Sequence, residues 1–242
     1  MNPDEYNNLE RVEKEHWFYA GKREIVKFWL HQTGVLRKNA QLLDCGAGSG
    51  HFAVSLVGLM NVRAMDDHQE ALALMRRRLP PQCVIQGSCE RIPFADNSLD
   101  AVTALDVLEH VEDDRGSAAE LARVLRPGGV CVVTVPALMC LWSDWDVTLQ
   151  HFRRYSRSSL MRLFFNLPVT IERCIYINAL PFPIVWSVRR LRRWGFFKET
   201  RLEDVVPTNH VNKCLKSIFV RTATGRLSFP FGVGLLLVAR KK

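Results

Sequence analysis

The sequence predicts an α/β fold: a doubly wound, mostly parallel sheet with helices on both faces, preceded by N-terminal helices and carrying a C-terminal lid insertion. Three observations lead there. Short β-type apolar runs alternate with helix-like stretches through the first two thirds of the 242 residues, the pattern of parallel βαβ units. One of those runs, Leu42-Leu-Asp44, passes directly into the glycine-rich turn Cys45-Gly-Ala-Gly-Ser-Gly50. A last apolar run at 229–239 offers a late strand to finish the sheet.

Taken in order, residues 6–30 read as one or two helices ahead of the sheet and contain the aromatic cluster Trp17, Phe18 and Tyr19. Candidate strands follow at 41–45, 62–65, 83–86, 101–105 and 130–135, and the segments 52–59, 68–78 and 116–125 between them have helical spacing. Arg126-Pro-Gly-Gly129 reads as a turn between the helix ending at Leu125 and the strand beginning at Val130. From Trp142 onward the chain is richer in arginine, aromatic residues and proline. The expected organisation is an N-terminal helical cap at 1–40, a ligand-binding core at 41–155, and residues 156–242 completing the sheet around a basic lid insertion at about 181–212.

Composition narrows the class. With 48% apolar and 24% charged residues the chain has the material for one sizeable core. The polar, acidic first ten residues lack the basic and apolar regions of a secretory signal, so export is not expected. The longest apolar stretch, 175–188, is broken by Asn178, Pro181 and Pro183 and falls short of the ~20 residues that span a bilayer. The seven cysteines form no C-x-x-C pair and suit reduced, partly buried thiols, hence a cytoplasmic setting. Net charge is +8, but from His151 onward 18 basic residues face 4 acidic ones. That face implies an anionic partner, either a phosphate-bearing ligand or a lipid surface.

The glycine turn is the centre of the functional argument. Glycines permit a tight turn and close backbone approach, and the N–H groups of the following helix attract an anionic group. The dinucleotide fingerprint needs glycine or alanine at the sixth position from Gly46, where this chain has His51, so a nicotinamide dinucleotide is disfavoured. Asp66 lies 20 residues after Gly46, at the end of the second candidate strand, where a carboxylate accepts bonds from both ribose hydroxyls; Asp67 is its fallback.

This segment resembles motif I of class I S-adenosylmethionine-dependent methyltransferases, of the methyltransferase type 11-like kind. The resemblance continues through Gln86-Gly-Ser-Cys-Glu-Arg-Ile-Pro-Phe-Ala-Asp-Asn-Ser-Leu-Asp100, Asp106-Val-Leu-Glu-His-Val111 and Arg126-Pro-Gly-Gly129. It implies a Rossmann-like, seven-stranded sheet and S-adenosyl-L-methionine as cofactor. It further implies that Gly46, Ala47 and Gly48 pass under the methionine part, that Asp44 supports its amino group, and that Asp66 holds the ribose. Ser88 stands where the family commonly has an Asp meeting the adenine amino group, with the Cys89 N–H as a second contact to the ring. Asp106 would face the reaction centre.

The sulfonium is already an activated methyl donor, so positioning an acceptor in line supplies much of the acceleration. For a hydroxyl acceptor a base assists, and His110 and His151 have a suitable ordinary pKa. Asp106, Glu109 and His110, with the distant His151, also resemble the E-x-x-E-H plus His arrangement of metal-dependent methyltransferases acting on vicinal hydroxyls, except that the first position is Asp. The stretch from Trp142 to Tyr155 resembles the W-S-x-x-D-x-x-x-x-H-x-R-R-Y signature of a bacterial branch of the family. There Arg154 and His151 are expected to meet an anionic or hydroxylated acceptor with Tyr155 beside them; the competing expectation is an ion-paired buckle such as Asp146 to Arg153. Trp17, Phe18 and Tyr19 resemble that branch's N-terminal cluster and either close over the cofactor or pack the N-terminal helix. Residues 184–198 allow a basic amphipathic helix that meets an anionic membrane surface at the inner face or admits a lipid-linked acceptor, against an ordinary solvated lid helix. The expected acceptor is thus a small molecule or a lipid-linked one, and nucleic acid is not expected because no recognised binding module accompanies the charge. A methyltransferase-fold binding protein without catalysis is the remaining alternative, supported by Ser88 alone.

Overall fold

The computed structural model describes residues 12–193, 206–225 and 228–242. Its centre is a seven-stranded sheet in the order β3-β2-β1-β4-β5-β7-β6. The strands are β1 (Gln41–Cys45), β2 (Asn61–Asp66), β3 (Val84–Gln86), β4 (Leu99–Leu105), β5 (Leu125–Pro136), β6 (Val169–Ile177) and β7 (Gly234–Lys241). β1 to β5 pair in parallel, whereas β7 runs antiparallel to both β5 and β6. The Rossmann-like, mostly parallel sheet expected from the sequence is therefore present, with its chain reversal between β1 and β4, where such sheets open a ligand crevice.

Helices cover both faces: α1 (Trp17–Gln32), α2 (His51–Val54), α3 (Gln69–Arg76), α4 (Asp114–Val124), α5 (Asp144–Thr148), α6 (Arg157–Phe164), α7 (Phe182–Arg193) and α8 (Asn209–Thr224). Successive strand side chains point to opposite faces, so Leu42, Val62, Leu236 and Val238 join the core under α1, α3 and α8, while Leu43, Met65, Leu235 and Leu237 join the core under α4 and α6. Burial on both faces explains the unbroken apolar runs of these strands. α1 starts at His16, whose ring nitrogen accepts from the Phe18 N–H, and buries Ile25, Val26, Trp29 and Leu30 at helical spacing.

Several elements differ from expectation for visible reasons. α2 stops at Val54 rather than 59, with Gly58 in the left-handed region just beyond. Arg126-Pro-Gly-Gly129 is not a separate turn but a bulge inside β5: Leu99 pairs Leu125 while Ala101 pairs Val130, leaving the intervening residues without a partner in β4. β6 was not anticipated as a strand of its own. The lid range of 181–212 holds α7 and the start of α8, and α8 continues to Thr224, packed on α1. Residues 194–198 of the basic stretch lie outside the described residues. The cysteine expectation needs correction: Cys45, at the end of β1, and Cys89, in the loop after β3, form a disulfide with Cα atoms 6.2 Å apart. They are 44 residues apart in sequence and meet because both segments rise to the same end of the sheet. No described helix is long and apolar enough to cross a membrane.

Candidate active site

A cavity of about 1110 Å³ lies at the C-terminal ends of β1, β2, β4 and β5. One end is built by the glycine turn. Gly46 has φ +67°, and a Cβ there would fall 2.5 Å from Val107 Cγ2, so only glycine fits both the backbone and the neighbour. The Ala47 N–H donates to the Met65 carbonyl (2.9 Å) and the Gly48 N–H to Asp66 Oδ2 (3.0 Å), while Asp66 Oδ1 accepts from the His68 N–H (3.1 Å). One carboxylate thus ties the turn to the end of β2. Burial pushes Asp66 upward, against the two backbone bonds. Asp67, beside it, is exposed and pairs with His68 Nδ1.

Asp44 is buried at the floor and accepts from Thr103 Oγ1 (2.7 Å); burial pushes its carboxyl up to about 7, with the Thr103 bond opposing. Gly87, Ser88 and Cys89 line the same end, and the disulfide fixes Cys89 to the residue preceding Gly46. The side of the cavity is formed by residues 12–23, which contribute Glu13, Trp17, Phe18, Tyr19 and Lys22. The aromatic cluster packs the N-terminal helix, the second of the two expectations: Trp17 and Phe18 meet Phe219 of α8 with ring centroids 5.6 Å apart, and all three residues also line the cavity.

Asp106 sits in the left-handed region (φ 56°) at the mouth of β4, pairs with Lys22, and accepts from Thr134 Oγ1 (2.9 Å). Burial raises its pKa, but the Lys22 charge and these bonds outweigh it and hold the carboxyl below its ordinary value. Lys22 and Glu13 were missed by sequence reasoning. The signal for Lys22 was its place one turn before Ile25 and Val26 in the buried stripe of α1.

The opposite end gathers Glu109, His110 and His151. The two imidazole rings stand edge to face with centroids 4.6 Å apart. Burial and the neighbouring His151 lower His110 to about 4. Glu109 is fully buried and pushed well above the carboxylate range by burial and by Asp106. His151 Nδ1 lies 2.9 Å from Asp146 Oδ1, which also accepts from Arg154 Nε (2.7 Å), and Asp146 Oδ2 accepts from the Ser143 N–H (2.9 Å). Burial opposes ionisation of Asp146, yet the His151 bond and the Arg154 charge hold it at about 2.

The structure separates the predicted acceptor residues. His110, His151 and Arg154 line the cavity, but the Arg154 guanidinium is committed to Asp146 and to the Ala137 carbonyl (3.2 Å). Tyr155 lies outside the cavity lining: its hydroxyl donates to the Leu108 carbonyl (3.0 Å) and bonds Asp114 (2.9 Å). The buckle expected between Asp146 and Arg153 has different partners, because Arg153 pairs with Asp114 (2.9 Å) and Asp146 with Arg154. Asp146 is the organising residue of this segment, and only the fold, which returns residues 143–155 onto residues 106–114, reveals it. The Phe152 N–H donating to the Glu109 carbonyl (2.8 Å) fastens the two stretches together.

A Rossmann-like sheet with this glycine turn, an acidic residue ending β2 and an aspartate at the mouth of β4 is the arrangement of class I S-adenosylmethionine-dependent methyltransferases. Residues 43–133 match the methyltransferase domain family. A methyltransferase of Mycobacterium bovis is 41% identical over 90 residues, covering 37% of each chain. The chain therefore spans little more than a third of the length of the first curated relatives it matches. The demethylmenaquinone methyltransferase of Renibacterium salmoninarum is 37% identical over 155 residues, covering 64% of this chain and 60% of its own. Among solved structures, an S-adenosylmethionine-dependent methyltransferase from Thermotoga maritima superposes with a TM-score of 0.62 at 18% identity, covering 99% and 96% of the two chains. The geranyl diphosphate C-methyltransferase of Streptomyces coelicolor gives 0.59 at 14%, covering 89% and 77%. These two likenesses concern the fold.

Proposed function

We propose that the chain transfers a methyl group from S-adenosyl-L-methionine to a small-molecule or lipid-linked acceptor that presents a hydroxyl or an anionic group. The observation that carries this reading is the continuity of one cavity from Asp44, Gly46 and Asp66 to Glu109, His110 and His151. Its volume of about 1110 Å³ exceeds the ~300–1,000 Å³ usual for a single ligand and suits a cofactor with an acceptor beside it.

In this reading Asp44 meets the amino group of the methionine part, Gly46, Ala47 and Gly48 pass beneath it, and Asp66, with Asp67 at the rim, holds the ribose. Ser88 and the Cys89 N–H face the adenine. Asp106 orients the donor end through its tie to Lys22. His110 and His151 take the acceptor proton, while Arg154 and Tyr155 act through Asp146 and the Leu108–Asp114 loop as positioning residues. The acceptor oxygen forms a bond to the methyl carbon as the carbon–sulfur bond breaks, the electron pair stays on sulfur, and the acceptor proton passes to a histidine. Pro181, Ile184, Val185 and Val188 form an apolar wall at this end, which suits an acceptor with an aliphatic or isoprenoid part.

Calorimetry with S-adenosylhomocysteine tests the cofactor half: saturable binding is expected, and no heat, with binding of a nicotinamide dinucleotide instead, would overturn it. Transfer of labelled methyl groups into a total lipid extract rather than into water-soluble metabolites is the result expected for a lipid-linked acceptor.

A further inference from the structure

We propose that the Cys45–Cys89 disulfide is a redox-modifiable site that sets the affinity of the donor end of the cavity: the oxidised chain holds the donor, and reduction by a dithiol loosens that hold. The effect on the donor rests on the methyl-transfer reading above, whereas the bond itself does not. Three features of the geometry carry it.

The first is where the bond is anchored. Cys45 ends β1 and is followed directly by Gly46, whose left-handed backbone and contact with Val107 admit only glycine, so a shift of Cys45 passes into the turn. Cys89 follows Ser88 in the loop after β3, and both line the cavity. One covalent link thus joins the segment that the proposed function places under the methionine part to the segment it places against the adenine. The second is how little else holds the adenine segment. The Gly87 N–H donates to the Asp66 carbonyl (3.1 Å) and the Ile92 N–H to Glu120 Oε2 (2.8 Å), which pins the two ends of the loop. Between them the hydrogen bonds turn inward: the Arg91 N–H donates to the Ser88 carbonyl (3.2 Å) and the Glu90 N–H to Ser88 Oγ (3.2 Å). Among the described residues no hydrogen bond ties 88–91 to the sheet, which leaves that task to the disulfide and to the packing of Cys89 in the core. The third is access. Cys45 is 0% and Cys89 5% exposed, but Cys89 is part of the cavity wall, so a reductant reaches it from the cavity and a bound donor covers it.

A thiolate of the dithiol attacks Cys89 Sγ, the bond to Cys45 breaks, and Cys45 takes up the proton that the attacking thiol gave up. The second thiol then displaces Cys89 from the mixed disulfide, and its proton passes to Cys89. Two electrons have moved to the chain, leaving two cysteine thiols and an oxidised, cyclic reductant. With Cys45 released, the Ser88 hydroxyl and the Cys89 N–H are no longer pre-set for the adenine, and donor binding has to order them at a cost in affinity. Linkage makes the effect reciprocal: the factor that reduction takes from donor affinity is the factor by which bound donor protects the disulfide.

The test is calorimetry with S-adenosylhomocysteine on the air-oxidised chain and on the same chain held in dithiothreitol, with free thiols counted in denaturant. Five free thiols are expected before reduction and seven after, with circular dichroism unchanged and affinity lower by about 5–150-fold in the reduced chain. Saturating S-adenosylhomocysteine should lower the equilibrium constant for reduction by the same factor. Cys89→Ser should bind at the reduced level with or without dithiothreitol. Equal affinity of the two forms, seven free thiols in the air-oxidised chain, or loss of the fold on reduction would each overturn the switch and leave the methyl-transfer reading in place. Binding of S-adenosylhomocysteine to neither form would overturn both.

Discussion

At the scale of single residues, Asp44 ties the cofactor reading to pH. Its carboxyl is raised to about 7 from an ordinary 3.8, first by burial. In that window the folded chain keeps a proton that the unfolded chain has released, so this group's contribution to stability is full at low pH and is lost as pH rises through about 7. A cationic amino group placed against it demands the ionised form. Affinity for S-adenosylhomocysteine should therefore rise with pH up to about 7, by up to about tenfold per unit, and Asp44→Asn should flatten the profile in calorimetry. Asp66→Ala removes the acceptor for Gly48 and, in the proposed reading, for the ribose, and the expected loss of affinity is roughly 10–100-fold from bonds to a charged group worth ~1.5–3 kcal/mol. Arg154→Ala has a different signature. It strands Asp146, whose side chain is 0% exposed, and should cost about 3–5 kcal/mol in urea denaturation, with S-adenosylhomocysteine affinity per folded molecule nearly unchanged.

Elements carry the contrast between what sequence discloses and what it hides. The glycine turn and Asp66 were legible because a strand, a turn and the next strand end are fixed by local pattern and by the length of one βαβ unit. Glu109, His110 and His151 were legible as a set only through their resemblance to a metal-binding arrangement, since 41 residues separate the last two. Lys22 was not, and Asp146 was legible only as one end of a buckle with Arg153 rather than with Arg154 and His151, because such partners depend on which segment folds over the sheet. β6 escaped for another reason: it is an edge strand with Glu172 and Arg173 adjacent in its middle and a register shift at that point, so neither alternation nor a continuous apolar run marks it. The pairing of α1 with α8 was equally hidden, although it closes one side of the cavity. Phe219 is 3% exposed and touches both Trp17 and Phe18. Phe219→Ala should destabilise the fold by about 3–5 kcal/mol, and a comparable drop in cofactor affinity, seen by calorimetry, is expected because the wall bearing Lys22 loosens with it.

The whole molecule is polarised in charge, and α7 stands where that polarity meets the cavity. One side of the helix lines the cavity through Ile184, Val185, Val188 and Arg189, while Trp186 is 41% exposed next to Leu180 at 55%. Basic residues beside exposed apolar ones are the composition of a helix that lies in an anionic interface. Cosedimentation with phosphatidylglycerol vesicles is the expected outcome, weakening as salt screens the contact, and Leu180→Glu with Trp186→Glu should abolish it while leaving S-adenosylhomocysteine binding intact. No association at low salt would leave α7 as a solvated lid.

The meeting of α1 and α8 also sets an order of events. The Trp17 N–H donates to Asn212 Oδ1 across 195 residues of chain, so the wall formed by residues 12–23 cannot settle until α8 has been made. During synthesis the strands bearing the glycine turn emerge long before their cover. A nascent chain therefore displays the glycine turn uncovered, and the wall beside it takes its place only when α8 arrives.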